Sequence, residues 1–448
     1  MISVKDIAKK FSREALTGGA AILSITTFLS YVTGLARDRI FSRTFGAGHE
    51  LDVYNASFII PDLLMNILVA SMLSAAFIPM FTGLFARGDK EHANELANTV
   101  LNSACTVIII FGGIAAIFMP YLVHFVAPGF SPEQRETLTW LSRLMLISPV
   151  LMTISNSLGS MLIGFKKFLG YGISPILYNL GIICGALLFV PIFGIYGLVM
   201  GTLIGGLFHL LPRLIAILRS PFRYSFQFKL RSPHFIKVIK LTIPKMFGQP
   251  VEQLTFLGFT RIATLLAAGS VSVISFARNF QSVPVALFGI AFATAVFPIL
   301  SECAAKGDRV AFIANFWKAL RNILIFTIPS ALGLYFLSEL PIRIFLGGGK
   351  FMDEDILRTA TVLSAFAFSI PTESLIHLLA RSFYALKNTI IPVLFSVLNL
   401  AISVSFAYFK HKELGIVAIP YGFFLGSLCE ILALALILRI KIKALRQS

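Results

Sequence analysis

The chain has 448 residues, of which 57% are hydrophobic and only 13% charged, with a mean hydropathy of +0.85. Soluble domains carry about 25% charged residues, so this composition excludes a soluble globular protein. Long apolar runs that do not alternate exclude a membrane β-barrel as well. The net charge of +17 would suit a nucleic-acid partner, but the basic residues cluster at the ends of apolar segments, which excludes that reading.

In chain order, twelve membrane spans are predicted. The first, near 20–36, follows a polar stretch holding Lys5, Lys9, Lys10 and Arg13, and reads as a retained span, not a cleaved signal peptide. The second, 53–85, contains Pro61 and Pro79. The third to sixth cover 93–119, 134–163, 169–191 and 194–218. Ser220 to Pro233 is a long polar break, expected to be a cytoplasmic, partly surface-lying linker. The seventh span, 235–266, carries Pro244 and Pro250, and the eighth, 270–302, carries Pro284 and Pro298. The last four cover 309–337, 355–385, 387–409 and 414–438. Segments longer than about 25 residues must tilt, bend or leave the bilayer, and the prolines are the expected bend points.

The chain repeats itself once at a spacing of about 220 residues. Gly194, Gly197, Gly201 and Gly205 fall opposite Gly415, Ala418, Gly422 and Gly426 without gaps, and Ala76–Asp89 falls opposite Ala295–Asp308. The predicted class is an all-α polytopic membrane protein: two pseudo-symmetric six-helix lobes around a central cavity. Residues 1–222 form the N-terminal lobe, 223–231 the linker and 232–448 the C-terminal lobe. Six spans per copy give both copies one orientation, so the pseudo-axis runs along the membrane normal. The four-residue spacings Gly201–Gly205 and Gly422–Gly426 predict close helix packing.

The charges set the topology. The N-terminal basic residues, Arg213, Arg219, Arg223, Lys229, Arg231, Lys237 and Lys240 at the junction, and Arg439, Lys441, Lys443 and Arg446 at the end all fall on one side of the membrane. Arg87, Lys90, Lys166, Lys167, Lys306, Arg309 and Lys387 share it. The positive-inside rule makes that side cytoplasmic, with both termini inside, and the charge suits anionic headgroups. His209 and Glu430, equivalent in the repeat, are expected at the interface.

Ionisable residues inside a membrane are costly and face a cavity or a partner. Lys245, Glu252, Arg261 and Arg278 lie in the seventh and eighth segments; Arg37, Asp38, Asp52 and Asp62 lie near the ends of the first two. Glu373, His377 and Arg381, spaced by four, share one helix face. A cavity with several arginines points to phosphate, because the guanidinium fork donates bidentate hydrogen bonds and stays charged. Glu252 is expected to pair with Lys245 or the opposite lobe. No enzyme signature occurs: Gly347 to Lys350 lacks the spacing and following Ser/Thr of a phosphate loop and reads as an external turn. No cofactor or metal is expected. The four cysteines lack metal or disulfide spacing, and with no nucleotide-binding domain, transport would be driven by an ion gradient, the membrane potential or the substrate gradient.

Gly34 to Leu64 ("GLARDRIFSRTFGAGHELDVYNASFIIPDLL") resembles the first-span signature of the MurJ/MviN family, and Ser74 to Phe81 continues it. Ala127 to Phe130, Gly269 to Ser301, Pro341 to Phe351 and Ser382 to Val393 look like later landmarks of that family, in order. The resemblance covers essentially the whole chain. It implies membership of the multidrug/oligosaccharidyl-lipid/polysaccharide exporter superfamily, and a flippase that moves lipid II across the cytoplasmic membrane by alternating access. It also implies lipid II and membrane lipids as partners, and leaves room for a coupling ion and for cell-wall synthesis proteins. Arg37 and Asp38 match the family's Arg-Asp pair, and Asp52 its acidic residue after the Phe-Gly-Ala-Gly turn. The chain departs from the family at Tyr31, at Met65-Asn66, at Ala70, and at Asn279, where the expected arginine is displaced to Arg278. One residue is about 100° around a helix. The family has about fourteen spans, of which twelve are expected here.

The expected substrate-binding set is therefore Arg37, Arg278, Arg261, Lys245, Asn66 and Asn279, with Asp38, Asp52 and Glu252 as gating or ion-pair residues. Export of another polyprenyl-linked glycan or a small molecule, and a non-transporting envelope-assembly scaffold, are the alternatives.

Overall fold

The structure, a computed structural model, describes residues 19–246, 248 and 250–444. The side chains of residues 19–21, 74, 75, 244, 245, 443 and 444 lie outside the description, as do Lys5, Lys9, Lys10, Arg13 and Arg446.

The helices in chain order are α1 (Gly19–Phe45), α2 (His49–Ser57), α3 (Ile59–Met65), α4 (Ile78–Ala86), α5 (Lys90–Val126), α6 (Pro132–Met145), α7 (Ile147–Gly164), α8 (Phe168–Gly172), α9 (Ser174–Leu188), α10 (Val190–Phe193) and α11 (Ile195–Leu218). They continue as α12 (Pro233–Met246), α13 (Val251–Ala263), α14 (Ser270–Pro284), α15 (Ala291–Ala305), α16 (Arg309–Phe336), α17 (Glu339–Phe345), α18 (Asp353–Ala367), α19 (Ser369–Ala385), α20 (Ile390–Leu414) and α21 (Ala418–Ala444). Each of the twelve expected spans falls on a helix or a run of consecutive helices. Among the described residues, eight helices are long and apolar enough to cross a membrane, or nine counting α18 and α19, which meet at 42°. One of the eight, Ile390–Ile442, runs through both α20 and α21. The first expected span is not in that set, which covers described residues only. Nor is the seventh, being split into α12 and α13.

Local chemistry sets the helix starts. Ser131 accepts from Gln134 N at 3.2 Å while Gln134 accepts from Ser131 N at 2.8 Å, a reciprocal cap ahead of Pro132. Asp308 caps α16 through Ala311 N at 2.9 Å.

The repeat is visible in the backbone. Left-handed φ values recur at equivalent positions: Gly88 (+81°) and Gly307 (+67°), Lys166 (+58°) and Lys387 (+56°), Gly194 (+56°) and Gly415 (+60°). Wide π turns recur as well. Asn66–Ala70 in the second span lies opposite Val285–Ile290 in the eighth, and a further π turn covers Leu73–Phe77. Such turns insert a residue into the helical ladder and often mark functional positions. The last of the three in the chain, Val285–Ile290, follows Pro284, one of the expected bend points. The α18–α19 bend, two residues before Pro371, was not expected.

The chain forms two compact units. The first comprises residues up to Phe41, Ala56–Phe125 and Ser131–Gln253; the second comprises Ser42–Asn55, Val126–Phe130 and Leu254 onward. The expected division at 222 and 232 is thus displaced, for two physical reasons. First, the 223–231 linker is bonded to α5: Asn98 Nδ2 donates to Arg223 O (2.9 Å), Ser225 N donates to Asn98 Oδ1 (3.0 Å), and Asn102 Nδ2 donates to Ser225 O (3.2 Å) and Gln227 O (3.0 Å). Second, α12 buries Phe235 and Val238 in the core of the first unit, beside Phe77, Phe81, Val100 and Met161. The core of the second unit gathers Leu300, Phe312, Ile323, Leu378, Phe383 and Leu434.

Candidate functional site

In the first unit, α1 carries Arg37 and Asp38. Neighbouring residues on a helix do not face each other, but the long arginine side chain folds back. Its Nε and Nη2 both donate to Asp38 Oδ1, at 3.1 and 2.8 Å. Its Nη1 donates to Asn179 Oδ1 at 3.2 Å, and the guanidinium lies 5.8 Å over the Phe41 ring. Asn179 is anchored in turn, donating to Ser30 O at 3.2 Å and Thr33 Oγ1 at 3.4 Å. The Arg37 side chain keeps 24% of its surface exposed and Asp38 only 5%. The expected pairing of Arg37 with Asp38 is therefore present. Asn179 was not anticipated, although a lone amide in the apolar run "ILYNLGII" was its signal.

Asn66 opens the first π turn, and its amide donates to Asp62 O at 3.0 Å. Asp62 is exposed on an otherwise apolar helix.

In the second unit, Asp52 is a cap. Its carboxylate, 2% exposed, accepts from Gly269 N, Ser272 N and Ser272 Oγ, each at 2.7 Å. These are the first amides of α14, where a carboxylate satisfies unpaired donors and complements the helix dipole. Gly269 sits at φ +81°, and a Cβ there would lie 1.8 Å from Ala47 O, so only glycine permits this approach. The segment 42–55 is bound further by Ser42 Oγ to Leu346 O (2.8 Å) and Lys350 N to Arg43 O (2.9 Å). The Gly347–Lys350 turn thus packs against Arg43.

Arg278 lies on α14 and forks onto Glu373 of α19, with Nη1 to Oε2 at 2.6 Å and Nη2 to Oε1 at 2.7 Å. Gln281 donates to Glu373 at 2.9 Å and to Ser369 at 3.1 Å, and also accepts from Arg278. The guanidinium is sandwiched by Phe423 at 4.8 Å and Phe256 at 5.5 Å. The pair is 13% and 15% exposed. Arg278, expected to face phosphate, therefore already holds a bidentate carboxylate. Of the predicted face on α19, Glu373 meets Arg278, and Arg381 donates to His377 O at 3.2 Å. Asn279 and Arg261 are half-buried and Glu252 is exposed in the first turn of α13; the Lys245 side chain lies outside the described residues.

Three other ionisable residues are buried among the helices. His209 and Glu430, expected at the interface, are 7% and 2% exposed. His209 Nδ1 bonds Ser155 Oγ at 2.9 Å, and Glu430 accepts from Asn399 at 2.7 Å and Ser396 at 3.1 Å. Arg213, expected in the cytoplasmic cluster, is 2% exposed; it donates to Asn156 Oδ1 at 2.7 Å and lies 4.7 Å over Tyr171. All three face inward because polar partners on neighbouring helices replace water.

The family model described as lipid II flippase MurJ matches residues 41–447. The chain belongs to the MurJ family. Among its relatives, the probable lipid II flippase MurJ of Borreliella burgdorferi is 29% identical over 390 residues, covering 86% of this chain and 76% of that protein. That of Thermotoga maritima is 29% identical over 383 residues, covering 85% and 77%. The lipid II flippase MurJ of Burkholderia cenocepacia is 28% identical over 391 residues, covering 83% and 74%. Among solved structures, a lipid II flippase MurJ in an inward closed conformation superposes with a TM-score of 0.80 at 24% identity, over 95% of this chain and 90% of that one. An inward-facing MATE transporter of the MOP superfamily gives 0.79 at 15% identity, over 96% and 100%. Both confirm an all-α polytopic transporter fold. Of the positions departing from the MurJ pattern, Tyr31 is half-buried on α1, Asn66 is tied to its own helix, and Asn279 leaves the charge to Arg278 one residue earlier.

Proposed function

We propose that this protein flips lipid II, the undecaprenyl-pyrophosphate-linked peptidoglycan precursor, across the bacterial cytoplasmic membrane by alternating access. The match of residues 41–447 to the MurJ family model carries this reading. Both termini are cytoplasmic, in keeping with the basic clusters at the span ends. The driving force is an ion gradient, the membrane potential or the substrate gradient, and cell-wall synthesis proteins receive the product.

Arg37 is the first phosphate ligand. Two of its donors converge on one oxygen of Asp38, so a pyrophosphate oxygen can take over part of that fork while Asp38 keeps the side chain oriented. Arg261, Lys245, Asn66 and Asn279 complete the headgroup set. Arg278 contributes mainly by holding α14 to α19, since a ligand would have to displace Glu373 from both ends of its fork. Asp52 gates: the α14 amides it caps are released and regained as the 42–55 segment moves. Glu252 forms an ion pair in one of the two states.

Complementation tests the proposal. The chain, expressed in a bacterium depleted of its own lipid II flippase, should restore growth, and Arg37→Ala at equal membrane abundance should not. Absence of rescue by the well-expressed wild-type chain would reject lipid II flipping in favour of another polyprenyl-linked glycan.

A further inference from the structure

A groove of about 430 Å³ opens in the second unit between α16, α19 and α21. Its walls are apolar, with Ile313, Phe316, Leu378, Leu379, Ile431 and Leu438 contributing. Two arginines are among its lining residues: Arg309, the first residue of α16, and Arg439, five residues before the end of α21. In the topology proposed above the start of the ninth span and the end of the twelfth are cytoplasmic, so both guanidinium groups belong to the cytoplasmic end of the groove.

Among the described residues, neither Arg309 nor Arg439 has a hydrogen bond, ion pair or ring contact through its side chain. This is unlike their neighbour Lys306, which is paired with Glu302 at 2.6 Å. No carboxylate lines the groove. Trp317, 60% exposed, borders it. Two unpaired guanidinium groups above a dry apolar slot make a site for an anionic amphiphile. The planar forks donate to phosphate oxygens, and the slot offers a hydrocarbon chain van der Waals packing against apolar side chains.

We propose that this groove binds an anionic glycerophospholipid of the cytoplasmic leaflet, its phosphate on Arg309 and Arg439 and one acyl chain along α16, α19 and α21. The anionic lipids that give that leaflet its negative surface potential supply the ligand. Zwitterionic lipids bind less well because no carboxylate is present to balance their ammonium. The groove lies within the second unit, and none of its lining residues belongs to the substrate set proposed above.

The test is native mass spectrometry of the delipidated full-length protein, titrated with phosphatidylglycerol or phosphatidylcholine. The wild-type chain should bind one phosphatidylglycerol about ten-fold more tightly than phosphatidylcholine, the scale expected for one charge-assisted contact. The double variant Arg309→Gln/Arg439→Gln should lose that preference, while Lys306→Gln keeps it. Ala435→Phe fills the slot without touching either charge and should weaken phosphatidylglycerol as well; inorganic phosphate should not displace the lipid. Three results would overturn the site: an unchanged preference in the double variant, indifference to Ala435→Phe, or displacement by inorganic phosphate, which would mark a bare anion site.

Discussion

The helix pairs that close the two halves, α9 with α11 and α20 with α21, occupy equivalent places in the repeat but are built from different chemistry. In the first pair backbone meets backbone: a Cβ on Gly185 would lie 2.1 Å from Gly201 Cα, and one on Gly181 would lie 2.4 Å from Gly205 Cα. In the second pair Gly422 also meets backbone, where a Cβ would lie 2.5 Å from Ser403 O, but Gly426 meets polar side chains: a Cβ there would lie 2.1 Å from Ser403 Oγ and 2.3 Å from Asn399 Oδ1. Ser403 donates to Asn399 at 2.8 Å, and Asn399 donates to Glu430 at 2.7 Å. Small residues four apart bring two helices close whatever else the seam contains. The repeat therefore preserves the spacing, while the polar content of each seam diverges freely. One seam packs glycine backbone on glycine backbone; the other holds a buried carboxylate.

Breaking the α9–α11 seam should have the largest effect. Gly185→Val places its branch against the α11 backbone, which cannot rotate away as a side chain would, so a loss beyond about 3 kcal/mol is expected. Size-exclusion profiles should show little monodisperse protein. Next comes the polar interior of the second unit: Glu373→Leu strands the buried Arg278 and should cost about 3–5 kcal/mol. A melting temperature within a degree or two of wild type would show that pair to be unimportant. Glu430→Leu makes the second seam resemble the first. It leaves the Asn399 amide without its acceptor, at about 1–3 kcal/mol, whereas Glu430→Gln retains an acceptor and should melt close to wild type. The smallest effect is Asp52→Asn. One oxygen still caps α14 but the other acceptor is lost, for about 1 kcal/mol; hydrogen exchange at Gly269 and Ser272 should rise locally, not across the whole unit.

The features legible in the sequence are those that repeat. The span positions, the small-residue seams and the offset of about 220 residues are encoded locally, and they reappear in the paired φ values at Lys166 and Lys387. The charged residues were legible as exceptions but not as pairs. Arg278 finds Glu373 across 95 positions and Asp52 finds Ser272 across 220; no local period reports such distances. Spacing by four grouped Glu373 with His377 and Arg381, yet left Arg278 out. Glu430 and His209 read as interfacial because their polar partners, Asn399 and Ser155, sit on other helices. The linker looked like a free joint because its own residues are polar; what holds it is the asparagine row Asn94, Asn98 and Asn102 on α5, a four-residue spacing that was open to notice.

The central claim is that this chain moves lipid II and that Arg37 handles its phosphates. The most direct measurement reconstitutes the purified protein in liposomes containing labelled lipid II and follows exposure of the headgroup in the opposite leaflet over time. The account predicts protein-dependent exposure, reduced at least about a hundred-fold by Arg37→Ala, the scale of lost charge-assisted phosphate contacts. Equal rates for wild type and Arg37→Ala, or no exposure above protein-free liposomes, would contradict it.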